Sequence, residues 1–93
     1  MRLKNTEAKV IIECIKCFDN KAKVYLFGSR VDDTQKGGDI DLLILSQKLN
    51  YDDSVMIRQK LYEKLGEQTI HIIITKDLDK PFVKIAYTGG ILL

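Results

Sequence analysis

The chain is expected to fold as an α/β (α+β) unit, a small mixed β-sheet with helices packed on it, in the order α-β-β-α-β-α. Three observations carry that expectation. Three short apolar runs, 23–27, 40–45 and 69–75, are rich in β-branched and aromatic residues, and the first two stop at Gly28 and Ser46. The stretches beside them carry apolar residues at helical spacing instead. Finally, 93 residues with 45% apolar and 30% charged side chains suffice for one core and leave no room for a second, so residues 1–93 are read as a single domain.

Each element has its own reason. Between Thr6 and Phe18, Val10, Ile11, Cys14, Ile15 and Phe18 recur on one side, with Glu7, Lys9, Glu13 and Lys16 between them, giving a one-sided helix. Asp19-Asn20 breaks it, and Lys23-Val24-Tyr25-Leu26-Phe27 is a buried strand that stops at Gly28. Arg30 to Gly38 is polar and ends in Gly37-Gly38, a loop, before a second apolar strand, Ile40 to Leu45, that carries the single acid Asp41. Asp53 or Ser54 is read as the N-cap of a second helix, with Ile57, Leu61 and Leu65 on its apolar side and Gly66 as its stop. Thr69 to Thr75 forms the third strand. Asp79 caps a last short helix that has Pro81 in its first turn and runs through Ala86.

Charge is segregated along the chain. Residues 1–30 hold seven Lys/Arg against three Asp/Glu, 31–53 hold two against six, and 54–93 hold six against four, so the middle is an acidic island. A net charge of +2 gives no bulk electrostatic reason for nucleic-acid or membrane binding, and nucleic acid is not indicated as a partner. Cys14 and Cys17 form a C-x-x-C inside a helical pattern, with no second Cys or His pair to complete a zinc shell, and are read as ordinary helix positions of a reducing compartment. No apolar run reaches the roughly 18 residues of a membrane span, and Met1-Arg2-Leu3-Lys4 lacks the apolar stretch of a secretory signal, so a cytoplasmic protein is expected. Tyr25, Phe27, Tyr51 and Phe82, scattered over separate elements, are read as packing residues.

The chemistry is concentrated between two strands: Phe27-Gly28-Ser29-Arg30, nine intervening residues after Ser29, then Asp39-Ile40-Asp41-Leu42. Side chains alternate across a strand, so Asp39 and Asp41 project from one side while Ile40 and Leu42 enter the core. Two carboxylates held together repel unless a cation lies between them. An oxygen-only donor set favours Mg²⁺ or Mn²⁺. Gly28, without a Cβ, lets a phosphate approach the backbone, where the next N–H and the Ser29 hydroxyl can bind its oxygens. Arg30 adds a positive contact for an oxyanion or a nearby carboxylate. Metal on one side and phosphate donors on the other imply in-line attack on a nucleotide phosphorus with pyrophosphate leaving.

Strand, Gly-Ser-Arg, a loop of about ten residues, then Gly-Asp-Ile-Asp-Leu resembles the nucleotidyltransferases of the DNA polymerase beta superfamily, especially the minimal nucleotidyltransferase (MNT) proteins. Chain length and element order are similar as well. The resemblance implies a Mg²⁺-dependent domain that binds ATP or another nucleoside triphosphate, with Asp39 and Asp41 on the metal and Gly28, Ser29 and Arg30 on the nucleotide. It also implies a protein partner, a helical HEPN-type protein in many such domains, where the MNT chain serves as antitoxin; self-association is the other way to complete so small a site. The family places a third carboxylate, which helps activate the attacking hydroxyl, on the third strand. Here that position is His71. Two readings follow: a transferase in which His71 takes the place of the third acid, and a catalytically weak or inactive module that keeps the fold and acts by occluding a partner.

Overall fold

In the computed structural model, which describes residues 1–34, 38–66 and 68–93, three helices lie on a four-stranded sheet. The elements are α1 (Asn5–Phe18), β1 (Lys23–Phe27), a 3₁₀ turn (Gly28–Val31), β2 (Ile40–Leu45), α2 (Tyr51–Leu65), β3 (Ile70–Thr75), α3 (Pro81–Thr88) and β4 (Ile91–Leu92). The sheet order is β3-β2-β1-β4, with β2 antiparallel to β1 and parallel to β3. Of the loop expected from Arg30 to Gly38, residues 35–37 lie outside the described residues.

Alternation along the strands separates two apolar layers. Val24 and Leu26, then Ile40, Leu42 and Ile44, then Ile70 face α1 and α2, where Ile11, Ile15, Ile57 and Leu61 meet them. Ile11, Ile15, Leu26, Ile40, Leu42, Ile44, Ile57 and Leu61 have no measurable exposure. Burial of each such side chain contributes about 1.5–3 kcal/mol, so this layer carries most of the driving force. Tyr25 and Leu43 face the other way, against Val83 and Ala86 of α3. One eight-residue helix covers less of a sheet than two longer ones, and Ile73 on this face is only half-buried.

Three expectations are corrected. Helix α2 begins at Tyr51, not after Asp53: Asn50 adopts an extended backbone and its side chain accepts from the N–H groups of Asp52 and Asp53. The Asp53 carboxylate in turn accepts from the Asn50 N–H, so Asp53 is a first-turn partner of the cap. Asp79 does not cap α3; Lys80 occupies that position without a side-chain bond, and the Asp79 N–H donates to Asp77. The sheet has a fourth strand. Ile91 and Leu92 pair with Leu26 and Tyr25, and the Leu93 N–H donates to the Val24 carbonyl. Two residues are too short for any alternation to show in sequence.

Of the four aromatic residues expected to pack, Tyr25 meets Tyr87 edge-on at 5.1 Å and Phe27 meets Phe82 edge-on at 6.3 Å. Tyr51 and Phe82 are nonetheless 77% and 59% exposed. Cys14 is buried and Cys17 exposed, both as free thiols, and burial pushes the Cys14 thiol up.

At the junction of α1 with the sheet, Asp19 is 8% exposed and bonded on both oxygens: the Ser46 hydroxyl donates at 2.5 Å and the Lys21 N–H at 3.0 Å. Ser46 Oγ itself accepts from the N–H groups of Lys48 and Leu49, tying α1 to the turn after β2. The Ser46 and Lys21 bonds hold the Asp19 carboxyl below the usual range. A depressed carboxyl stabilises the fold above the unfolded-state pKa, and that contribution is lost as pH falls through the folded value. Thermal melts from pH 7 to pH 3 are therefore expected to show a drop in stability on the acid side that shrinks in Asp19→Asn. An unchanged acid-side slope in the variant would remove Asp19 from this account.

Candidate active site

Gly28 occupies a left-handed conformation, φ +77°, at the end of β1, where the chain turns over β2. A Cβ at Gly28 would fall on Oδ2 of Asp41, so the absence of a side chain is what lets the turn lie against that carboxylate. Gly38, φ +99°, plays the same part across the loop: a Cβ there would fall on Oγ of Ser29. Two glycines thus let the Asp41 carboxylate lie against Gly28 and the Ser29 hydroxyl against Gly38. In sequence Gly38 closes the polar loop and opens the Gly-Asp-Ile-Asp-Leu motif, but no site role is read for it.

The strand register supplies the rest. Asp41 lies opposite Phe27 on one side and beside His71 on the other. Since Ile40 and Leu42 are fully buried on the α1/α2 side, Asp41 and His71 emerge on the opposite face. Asp39 precedes β2, and its Oδ2 lies 3.0 Å from Nε2 of His71. Of the sequence-predicted residues, Gly28, Ser29, Asp39, Asp41 and His71 therefore meet at one end of the sheet. Arg30 borders the group and is turned to protein acceptors: Nη1 donates to the Arg2 carbonyl at 2.9 Å, Nε to the Gly38 carbonyl at 3.3 Å and Nη2 to Gln68 Oε1 at 3.5 Å.

Burial is the largest influence on Asp41, pushing its carboxyl up; His71 opposes this, and the charge of Asp39 adds to it. Asp41 has no hydrogen-bond donor against it among the described residues. A half-buried carboxylate with an anionic neighbour and no donor suits a hard dication, so the residues fit Mg²⁺ or Mn²⁺. Among the described residues no three His, Cys, Asp or Glu side chains are gathered to hold a metal by themselves.

Beside Gly28 opens an apolar cleft of about 300 Å³, walled by Phe27 and Val31 on one side and Phe82, Ile85 and Gly89 on the other. A larger cleft of about 420 Å³ lies at the other end of the sheet among Lys21, Lys23, Ser46 and Lys48, away from the acid cluster. Volume alone does not mark the chemistry here. None of the described helices is long and apolar enough to cross a membrane.

Comparison with known proteins agrees with the geometry. The family model described as "Polymerase beta, Nucleotidyltransferase" matches residues 9–93, a span that contains every residue of the cluster. A search of curated proteins finds no match.

Proposed function

Because the chain belongs to the polymerase beta nucleotidyltransferase family, we propose that it binds a nucleoside triphosphate, ATP in the first instance, with Mg²⁺, and transfers the nucleotidyl group to a hydroxyl of a protein or small acceptor. The observation that carries the reading is the meeting of Asp39, Asp41 and His71 beside the Gly28-Ser29 turn. Asp39 and Asp41 would hold Mg²⁺, and the ion when bound would supply charge neutralisation on the triphosphate. The Gly28 turn and the Ser29 hydroxyl bind phosphate oxygens. The apolar cleft beside Gly28 offers walls to the nucleotide or acceptor.

In the tautomer that donates Nε2–H to Asp39, the His71 lone pair lies on Nδ1, which accepts the proton of the acceptor hydroxyl as its oxygen bonds to the α-phosphorus. The bond from that phosphorus to the bridging oxygen breaks, and pyrophosphate leaves with the electron pair. Asp39 orients the imidazole with one oxygen and keeps the other for the cation.

Two measurements test this. An amide-resolved NMR titration with ATP is expected to shift Gly28, Ser29, Asp39 and Asp41 saturably only when Mg²⁺ is present; no movement at millimolar ATP and Mg²⁺ would overturn the reading. His71→Asp restores the acid implied by the resemblance and is expected to raise transfer about 10- to 100-fold, within the range of general acid–base effects.

His71 is also what favours a second reading, a nucleotidyltransferase fold that works by covering a partner, with a helical HEPN-type protein as the partner implied by the resemblance. Under it, Asp39→Ala with Asp41→Ala leaves partner neutralisation intact. Loss of neutralisation with binding preserved would exclude it.

A further inference from the structure

The carbonyls at the end of the 3₁₀ turn that carries Ser29 keep acceptor capacity for donors from outside the turn, the Ser29 carbonyl taking one bond from the Asp32 N–H within it. Arg2, from the segment ahead of α1, supplies them. Its Nη2 donates to the Ser29 carbonyl at 3.0 Å and its Nε to the Asp32 carbonyl at 3.1 Å, while its backbone N–H donates to the Arg30 carbonyl at 2.7 Å. Arg30 closes the arrangement in the reverse direction, its Nη1 donating to the Arg2 carbonyl. Each arginine thus fastens the other's backbone. The Arg2 guanidinium also lies near Gly38, whose backbone faces the Ser29 hydroxyl.

We infer that Arg2 is a positioning residue for the nucleotide site, a planar clamp that holds the Gly28–Val31 turn so that Ser29 and the Gly28 backbone stay set for the phosphates. The inference rests on the proposed nucleotide reading, and it extends the site to a residue outside the span 9–93 that matches the family. Geometry decides the residue type. Two carbonyls three residues apart are reached by two nitrogens of one rigid fork, which an ammonium cannot reproduce. A turn so held presents its phosphate donors in place before ligand arrives, and loss of that order appears as weaker nucleotide binding.

The test uses the whole chain and two readouts. Amide hydrogen exchange in the absence of nucleotide reads the clamp: in Arg2→Ala, exchange at Asp32, whose N–H donates to the Ser29 carbonyl, is expected to accelerate at least tenfold while Leu42 and Ile44 in β2 keep their protection. Titration with ATP and Mg²⁺ reads the consequence: Arg2→Ala and Arg2→Lys are both expected to weaken ATP binding about tenfold, with Mn²⁺ affinity measured by water relaxation unchanged because Asp39 and Asp41 are untouched. Unchanged exchange at Asp32 overturns the clamp. Faster exchange with unchanged ATP affinity, or full rescue by lysine, overturns the positioning role. If the wild-type chain binds no ATP at all, the nucleotide reading fails with it, and exchange at Asp32 still decides whether Arg2 orders the turn. Should Arg2→Ala lose the fold, Arg2→Lys, which keeps the aliphatic stem and charge, carries both measurements.

Discussion

Asp41→Asn is expected to reduce nucleotidyl transfer by about a thousandfold or more, on the order of 4 kcal/mol of transition-state stabilisation, and to abolish the Mg²⁺-dependent part of ATP binding. The substitution keeps shape and removes only the charge. In the folded chain that charge is already unfavourable, because burial and the neighbouring Asp39 push the Asp41 carboxyl up. A raised carboxyl pKa means that ionisation destabilises the fold, and the loss appears as pH rises through the folded value. Asn carries no such cost. The melting temperature of Asp41→Asn without metal is therefore expected to equal or exceed that of the wild type at pH 7, with the gap closing toward pH 4, and added Mg²⁺ is expected to stabilise only the wild type. Stability would be exchanged for function at this position. A variant that retains transfer would remove Asp41 from the metal site; a variant less stable than wild type at every pH would show that Asp41 has a structural partner instead.

Gly28→Ala is expected to cost about 1–3 kcal/mol of stability from the backbone alone, because φ +77° is a region that L side chains rarely adopt. The larger effect falls on the site. The new methyl group would meet Oδ2 of Asp41, so either the turn lifts or the carboxylate rotates away from Asp39. Both outcomes separate the phosphate donors from the metal ligands. ATP binding in the presence of Mg²⁺ is expected to weaken more than tenfold, with amide shifts confined to Gly28–Val31 and Asp39–Asp41. Urea unfolding and the same NMR titration measure the two effects together. Gly66→Ala is a useful contrast: its φ is +84°, yet nothing lies within 4 Å of its would-be Cβ, so it should carry backbone cost without any change in ATP binding.

Sequence and structure divide the account along a physical line. Alternation over Ile40 to Leu45 was sufficient to put Asp39 and Asp41 on one face and Ile40 and Leu42 in the core, because the period of a strand is a property of the strand alone. The bounds of β1 and β2 were legible for a similar reason: each is a short, mostly apolar run closed by Gly28 or Ser46. Family membership followed from local spacing too, since a strand, a Gly-Ser turn and an Asp-x-Asp are all short-range patterns. His71 was expected at the third acid position from its place on the third strand, but only the parallel register of β2 with β3 puts it beside Asp41 and within 3.0 Å of Asp39. Strand β4 exists because β1 offers a free edge to two residues with no signal of their own. Gly38 and Arg2 acquire their roles from contacts across the loop and across 27 to 30 residues of chain. Periodicity and motif spacing are local and can be read along the chain; strand pairing, the meeting of a guanidinium with distant carbonyls and the room beneath a glycine are long-range, and they arise only when the sheet closes.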